Sequence, residues 1–200
     1  MPRISAQRQQ DRYDAILEAA RKTLTTKGYE AASMGEIAEE AGISEGLIYR
    51  YFTSKRDLLT AVLTQFYLRV TTGLEEAIGK RRGFRAKLRA VIDKHVEAFA
   101  SDTDLCRLFL TEVRVASDYR KSTIYELNKR YTSLLLRVVQ DGIAEGVVRS
   151  DIEPRMLRDL LFGGIEHLAW RHIHDGKALR LSGAGRIADV LLDGVCRPKK

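Results

Sequence analysis

The sequence predicts an all-α protein of about nine helices. Apolar side chains recur every three or four residues along most of the chain, which is the spacing of one helical face, and no stretch alternates as a β-strand does. Glycines and serine-led capping sequences interrupt these segments where helices are expected to end and begin. The 200 residues are enough for one large domain or two small ones, with a buried core in either case.

Two short helices joined by a tight turn are predicted between residues 33 and 52. Ser33 and Glu36 have the spacing of a capping box, which begins a helix by satisfying its free N–H groups. Gly42 suits the left-handed turn that ends this helix, and Ser44 can cap the next one. The arrangement is that of a helix-turn-helix, whose second helix enters the major groove of DNA.

Longer helices are predicted on both sides of this pair. A first helix should cover residues 10–27 and brace the pair. It follows a polar segment, residues 1–9, which either reaches DNA or is a disordered solubilising tail. A long helix should cover residues 54–78, begun by a second capping pattern at Ser54 and Asp57.

Three motifs in this region carry a family resemblance. They are Ile-Ala-Glu-Glu-Ala-Gly-Ile-Ser at residues 37–44, Tyr-Arg-Tyr-Phe at 49–52 and Ser-Lys-Arg-Asp-Leu-Leu at 54–59. At this spacing they resemble the DNA-binding signature of the TetR family of bacterial repressors. The resemblance covers about 50 N-terminal residues and implies a DNA-binding regulator. Leu47 departs from the pattern, because the family commonly has threonine or serine there.

Eight residues are the candidate DNA contacts: Ser33, Ser44, Glu45, Gly46, Tyr49, Arg50, Tyr51 and Lys55. Those that open the second short helix lie nearest to base edges. There, Glu45 either accepts a hydrogen bond from cytosine or is solvated. Arg50 can contact a base or a phosphate. The resemblance implies phosphate contacts for Tyr49, Tyr51 and Lys55, the last with the help of a helix N-terminus.

The charge distribution does not by itself establish DNA binding. The net charge is +7, but residues 1–56 hold nine Lys or Arg against eight Asp or Glu, and much of the excess lies in residues 80–89. DNA binding then requires the glutamates of the first short helix to face away from DNA. A sequence-independent DNA-architectural protein, the alternative, needs a denser basic face.

The remaining chain is predicted to be a second helical domain, residues 56–200, after a DNA-binding domain of residues 1–55. A helix-turn-helix reads few bases, so specific sites usually need a dimer on a palindromic operator with half-sites roughly 34 Å apart. The last two helices, the final one starting at Ser182, are predicted to form a four-helix bundle in a homodimer. Gly163 and Gly164 either allow the partner helix to approach closely or relax a helix kink.

The resemblance also implies a small-molecule effector pocket in the second domain. Its candidate lining residues are Phe66, Phe99, Phe109, Val113, Tyr125, Tyr131, Phe162 and Trp170, which can equally form an ordinary core. Residues 141–170 are similar to the fatty-acyl-CoA-responsive members of the family, so an acyl-CoA is one possible effector. The alternative is a cationic or aromatic drug paired with Glu112 or Glu166, as in a regulator of efflux genes.

No motif in the sequence indicates an enzyme. His172 and His174 diverge on a helix, and no third metal ligand accompanies His167 and His174. A phosphate-binding glycine loop, a GxSxG motif and a placed Cys–His pair are all missing. We therefore expect no catalytic residues, cofactor or metal. With no apolar run of about 18 residues and no signal-peptide core at the N-terminus, we expect a cytoplasmic protein without a membrane partner.

Overall fold

The computed structural model describes residues 2–174 and 184–196, with side chains for 6–170 and 185–196. Its helices are α1 (Pro2–Lys27), α2 (Met34–Glu40), α3 (Glu45–Ile48), α4 (Lys55–Gly79), α5 (Phe84–Ser101), α6 (Thr103–Leu108), α7 (Thr123–Ala144), α8 (Pro154–His174) and α9 (Ala184–Val195). The predicted all-α fold of about nine helices is confirmed over these residues. Among them, no helix is both long and apolar enough to span a membrane.

The first helix begins earlier than predicted. The prediction started it at residue 10, whereas α1 begins at Pro2. Proline is favoured in the first turn of a helix, and residues 4–10 contain no glycine or proline that would end it. Gln7 and Gln10 also hydrogen-bond the carboxylates of Asp11 and Asp14 one turn later, at 2.8 and 3.1 Å.

A second difference lies between α6 and α7. The apolar spacing from Leu105 to Ala116 predicts a single helix. Instead, α6 ends at Leu108 and a wider π turn, Phe109–Val113, continues it. The Arg114 amide therefore donates to the Phe109 carbonyl, at 2.8 Å. A shift of one residue in the backbone hydrogen bonds leaves the apolar spacing unchanged, so the sequence carried no signal for it. The predicted start of the last helix, Ser182, lies outside the described residues.

The chain forms two compact units that divide inside α4. The first unit comprises the residues up to Phe66 together with Leu108–Ile124, and the second comprises Tyr67–Arg107 and the residues from Tyr125 onward. Segment 108–124 joins the first unit although about 40 residues separate the two in sequence. The predicted division into residues 1–55 and 56–200 separates DNA binding from effector binding and dimerisation, and it stays a prediction about function.

The core of the first unit is built by four helices. The largest fully buried side chains come from α1, α2, α3 and the first half of α4: Ile16, Leu17, Leu24, Ile37, Ile48, Leu58, Leu59 and Leu63. The rings of Tyr13 and Phe52 pack with centroids 5.4 Å apart. Burial of these side chains fixes α2 and α3 on α1, because each short helix has only one apolar face to bury.

In the second unit, α5 packs against α8 and α9. Gly142 of α7 is required by close packing, because a Cβ there would lie 2.7 Å from both the Phe84 ring and a Val148 methyl group. The two cysteines, Cys106 and Cys196, are free and buried. They therefore pack as small apolar side chains, and burial raises the pKa of the Cys106 thiol, which keeps it protonated.

Candidate functional site

The predicted capping box at the start of α2 is present. The Glu36 amide donates to Ser33 Oγ at 3.2 Å, and the Ser33 amide donates to Glu36 Oε2 at 2.9 Å. A hydrogen bond from Lys27, followed by those from Ser33, lowers the pKa of Glu36 to about 2. The Ser33 hydroxyl also donates to this carboxylate, at 3.1 Å. Ser33 therefore organises the helix start, and its contact with DNA stays a prediction.

The turn after α2 sets the direction of α3. Gly42 has φ +67°, as predicted, and its amide donates to the Glu39 carbonyl at 3.0 Å. The Ile43 amide donates to the Ala38 carbonyl, also at 3.0 Å, which completes a Schellman motif. Non-glycine residues rarely adopt this backbone conformation, so the glycine determines the angle between the two helices.

The α3 helix and the residues that follow it have one buried face and one exposed polar face. Ile48 is fully buried and Phe52 nearly so, whereas the side chains of Tyr49 and Arg50 are exposed, Tyr49 by 50%. Tyr51 is half-buried. Ser44 occupies the N-cap position as predicted, but its side chain makes no capping hydrogen bond. The expected Ser44 cap was wrong in this respect, because the backbone alone closes this single turn, from the Leu47 amide to the Ser44 carbonyl at 2.9 Å.

Glu45 turns back toward α2. A Cβ built on Gly35 would lie 3.3 Å from its Oε2 atom, so the carboxylate lies against the first turn of α2. Negative charge is favoured at a helix N-terminus, which explains this position without a nucleic acid. The predicted hydrogen bond from Glu45 to cytosine therefore stays a prediction, and Gly46 beside it is exposed with open space around it.

Lysines of α1 neutralise two of the α2 glutamates. Lys27 pairs with Glu36 at 2.8 Å, and Lys22 pairs with Glu40 at 2.6 Å. Both carboxylates therefore face α1 and carry a compensating charge, which reduces the repulsion that they would exert on a phosphate backbone. The low net charge of the N-terminal segment is thus compatible with a surface on α3 that accepts DNA.

Lys55 has an extensive set of partners within the first unit. Its ammonium group donates to the backbone carbonyls of Tyr29, Glu30 and Ala32, the last two at 3.2 and 2.8 Å. It also lies 4.5 Å from the centre of the Tyr29 ring. An ammonium group has three N–H donors, and three carbonyls match them. Lys55 therefore ties the loop after α1 to the start of α4, a structural role that the sequence did not indicate.

Segment 108–124 is attached to the start of α4. Arg56 and Asp118 form an ion pair at 2.5 Å, across 62 positions in sequence. Both side chains are exposed, so the pair contributes little to stability, typically ~0–1 kcal/mol. Its importance is positional, because it joins the segment that follows α6 to the first turn of α4.

Three of the eight predicted effector residues meet around His95 in the second unit. The centroid of the His95 ring lies 5.2 Å from that of Phe99, 4.6 Å from that of Phe162 and 5.8 Å from that of Tyr131. Tyr67 of α4 packs edge-to-face on Tyr131, at 6.4 Å. We call these five residues the aromatic cluster. Helices α4, α5, α7 and α8 all contribute to it.

His95 is the polar member of the aromatic cluster. Its side chain is 7% exposed, and Nδ1 lies 3.2 Å from the Tyr131 hydroxyl. Nε2 is buried and has no hydrogen-bond partner among the described residues. Burial lowers the pKa of His95 to about 3, so the imidazole is neutral at physiological pH. In the sequence, the helical spacing of His95 with Val91 and Ile92 places it on an apolar helix face, and no sequence signal distinguishes it from an ordinary core residue.

The other predicted effector residues lie elsewhere. Phe109 belongs to the first unit and packs on Tyr119, with ring centroids 6.1 Å apart. Phe66 and Val113 are also buried in the first unit, and Tyr125 is half-buried. Trp170 is 39% exposed on the surface of α8, so the structure does not bring it into the aromatic cluster. Apolar spacing therefore identified buried positions for six of the eight residues, but it could not assign them to one cavity.

One face of α8 carries exposed apolar and small residues. Met156, Leu160 and Leu168 are exposed, Leu160 by 61%, and they share a helical face with Gly163 and Gly164. A Cβ on either glycine would meet nothing within 4 Å, so packing within the chain does not require glycine at these positions. On α9, Val190 is 73% exposed. We call these exposed residues of the two helices the α8–α9 face.

The first unit has the geometry of a helix-turn-helix, a motif typical of DNA-binding regulators. Two family models match the sequence: "Bacterial regulatory proteins, tetR family" over residues 16–62 and "Tetracyclin repressor-like, C-terminal domain" over residues 81–195. Since the second alone covers more than half of the chain, the protein belongs to the TetR family of transcriptional regulators. The resemblance stated from the N-terminal motifs is therefore confirmed.

The similar proteins include a regulator of fatty acid metabolism and a transcriptional repressor. The chain is 26% identical over 185 residues to a fatty acid metabolism regulator protein of Bacillus subtilis, covering 92% of this chain and 95% of that protein. It is 26% identical over 188 residues to the transcriptional repressor KstR2 of Rhodococcus jostii, covering 92% and 90%. A crystal structure of FadR from Bacillus subtilis in complex with stearoyl-CoA superposes with a TM-score of 0.83, at 27% identity, covering 91% of this chain and 98% of that chain.

Proposed function

We propose that the protein is a homodimeric repressor that binds a palindromic operator and is released by a small apolar effector. The DNA-binding part of this proposal rests on the exposed surface of α3. There Tyr49 and Arg50 are exposed on a helix whose Ile48 is buried. In a helix-turn-helix this surface enters the major groove. Arg50 is the residue to which we assign base reading, because it is exposed and has no ion-pair partner in the described chain.

The α8–α9 face supports the homodimer. Exposed apolar residues such as Leu160 and Val190 are unfavourable in water unless a partner covers them. Glycines at 163 and 164, with open space around them, would allow a partner helix to approach closely. Two copies of this face would form the four-helix bundle that places two recognition helices on one operator.

A fatty acyl-CoA is the effector class that we propose, in a cytoplasmic regulator. The FadR structure similar to this chain contains stearoyl-CoA, which has an apolar chain and an anionic head. The second unit offers matching chemistry, namely the aromatic cluster and the exposed basic residues Lys80, Arg81 and Arg82. The alternative effector, a cationic drug, finds less support, because Glu112, one of its two candidate partners, belongs to the first unit, whereas the aromatic cluster belongs to the second.

The effector and the operator must weaken each other's binding. If the effector binds the conformation that fits the operator less well, the same coupling free energy lowers both affinities, typically by about 1–3 kcal/mol. The ion pair between Arg56 and Asp118 is one route for this coupling, because it ties segment 108–124 to the first turn of α4.

Selection of bound sequences from a random duplex pool, followed by titration with stearoyl-CoA, tests this proposal. We expect a palindromic consensus and release of the DNA by the acyl-CoA. Tyr49→Phe should weaken binding to all sequences alike, whereas Arg50→Ala should also relax sequence preference. A palindromic consensus that acyl-CoA does not release would contradict the effector class alone. Failure to enrich any sequence would contradict operator binding.

A further inference from the structure

The aromatic cluster contains a buried polar atom, Nε2 of His95. Phe99 and Phe162 present ring edges or faces to the His95 ring at interplanar angles of 87° and 85°, and Tyr131 closes a third side. Nε2 has no partner among the described residues. Buried polar groups are nearly always hydrogen-bonded, so an orphaned ring nitrogen requires an explanation. Apolar packing alone would be satisfied by phenylalanine at this position.

The contact with Tyr131 determines which proton His95 carries. The Tyr131 hydroxyl is buried and protonated, since burial raises the pKa of its phenol. Its proton needs an acceptor, and Nδ1 of His95, at 3.2 Å, is in position to accept it. If Nδ1 carried the proton instead, it would donate to the Tyr131 oxygen, and the phenol proton would then lack an acceptor. The favoured tautomer therefore has its hydrogen on Nε2, which makes the orphaned atom a donor.

We propose that Nε2–H of His95 donates a hydrogen bond to the carbonyl oxygen of an acyl thioester seated in the aromatic cluster. The inference rests on the proposed function, since it names the group by which this site recognises its effector. A neutral donor among aromatic rings suits an uncharged carbonyl. The same surroundings disfavour a free carboxylate, whose full charge would be buried without a cation, so the site selects thioesters over free fatty acids.

Matched ligands isolate this hydrogen bond. Stearoyl-CoA and S-octadecyl-CoA differ only in the carbonyl group, which is a methylene in the thioether. We expect the wild-type protein to bind the thioester about 10-fold more tightly in calorimetric titrations. In His95→Phe the two ligands should bind equally, because the variant keeps the ring packing and loses the donor. His95→Gln retains an N–H donor and should restore part of the preference.

A spectroscopic readout makes the test independent of the variants. In nitrogen-15 NMR of the wild-type protein, the Nε2 signal of His95 should shift with stearoyl-CoA and stay in place with the thioether. Equal affinity of the wild type for both ligands, or equal NMR shifts, would overturn the inference and leave the acyl-CoA effector intact. If neither ligand binds, the effector class is contradicted as well. The Nε2–H donor would then hydrogen-bond only a buried water.

Discussion

At the scale of single residues, two cations close to the helix-turn-helix have different surroundings. Arg50 is exposed on α3, whereas the Lys55 ammonium is bonded to three backbone carbonyls of the loop after α1. The distinction matters because both residues are candidate DNA contacts, Lys55 by the family resemblance and Arg50 by its own chemistry. A cationic side chain whose N–H donors already form hydrogen bonds can donate fewer to a phosphate than one whose N–H donors form none.

Lys55→Met should destabilise the protein. The variant keeps an apolar stem of similar length but leaves three carbonyls without their donor, a loss of about 1–3 kcal/mol. Thermal unfolding measures this loss, and Arg50→Ala, which removes an exposed cation nearby, is the matched control and should leave stability unchanged. An unaltered melting temperature together with weaker DNA binding would instead identify Lys55 as a phosphate contact.

His95 should make folding stability depend on pH. Burial lowers its folded-state pKa to about 3, whereas the unfolded chain has an ordinary histidine pKa of about 6.5. Between these values the unfolded state binds a proton that the folded state does not, so stability falls as the pH falls through this window. In urea titrations between about pH 7 and pH 5, His95→Phe should lose less stability than the wild type. Identical pH profiles would contradict a buried neutral imidazole.

At the scale of the element, glycines have different functions in different helices. Gly42 provides the left-handed turn between α2 and α3, and Gly142 makes room inside α7 for Phe84 and Val148. Gly73 of α4 has neither function, because a Cβ there would meet nothing within 4 Å. Sequence alone does not separate these cases, because all three glycines lie within or beside helical patterns.

Gly142→Ala should therefore destabilise the second unit, by about 1–3 kcal/mol, because the added methyl group overlaps two buried side chains. Part of the loss is offset by the higher helix propensity of alanine, about 1 kcal/mol. Gly73→Ala is the matched control, since it gains propensity without overlap and should stabilise the protein. Urea unfolding of both variants gives the comparison, and equal stabilisation of the two would rule out the close packing at Gly142.

At the scale of the whole molecule, the exposed apolar residues of α8 and α9 bear on the proposed homodimer. Leu160→Glu places a charge in the middle of the α8–α9 face and should shift the protein to monomers in analytical ultracentrifugation. Operator affinity should fall with it, because two half-sites would no longer be read together. Leu68→Glu is the control, as Leu68 of α4 is 48% exposed and lies outside this face. A Leu160→Glu protein that stays dimeric would place the interface elsewhere.

Local features of the fold could be predicted from the sequence. The Ser33–Glu36 capping box, the Gly42 turn and the long helix α4 each depend on residues close together in the chain, so their spacing is visible in the sequence. The spacing of three N-terminal motifs was enough to indicate the family, which the family models confirm. The sequence did not predict the start of α1 or the π turn after α6, because neither changes the spacing of apolar residues along the chain.

The partners of individual side chains were decided by the tertiary structure. Lys55 finds its carbonyls about 25 positions away, His95 meets Tyr131 across 36, and Arg56 pairs with Asp118 across 62. Helical periodicity states which face of a helix is buried, but a hydrogen bond between distant residues carries no periodic signal. How the helices pack decides which buried aromatic residues meet. It also decides that Nε2 of His95 has no hydrogen-bond partner in the part of the chain that the structure describes.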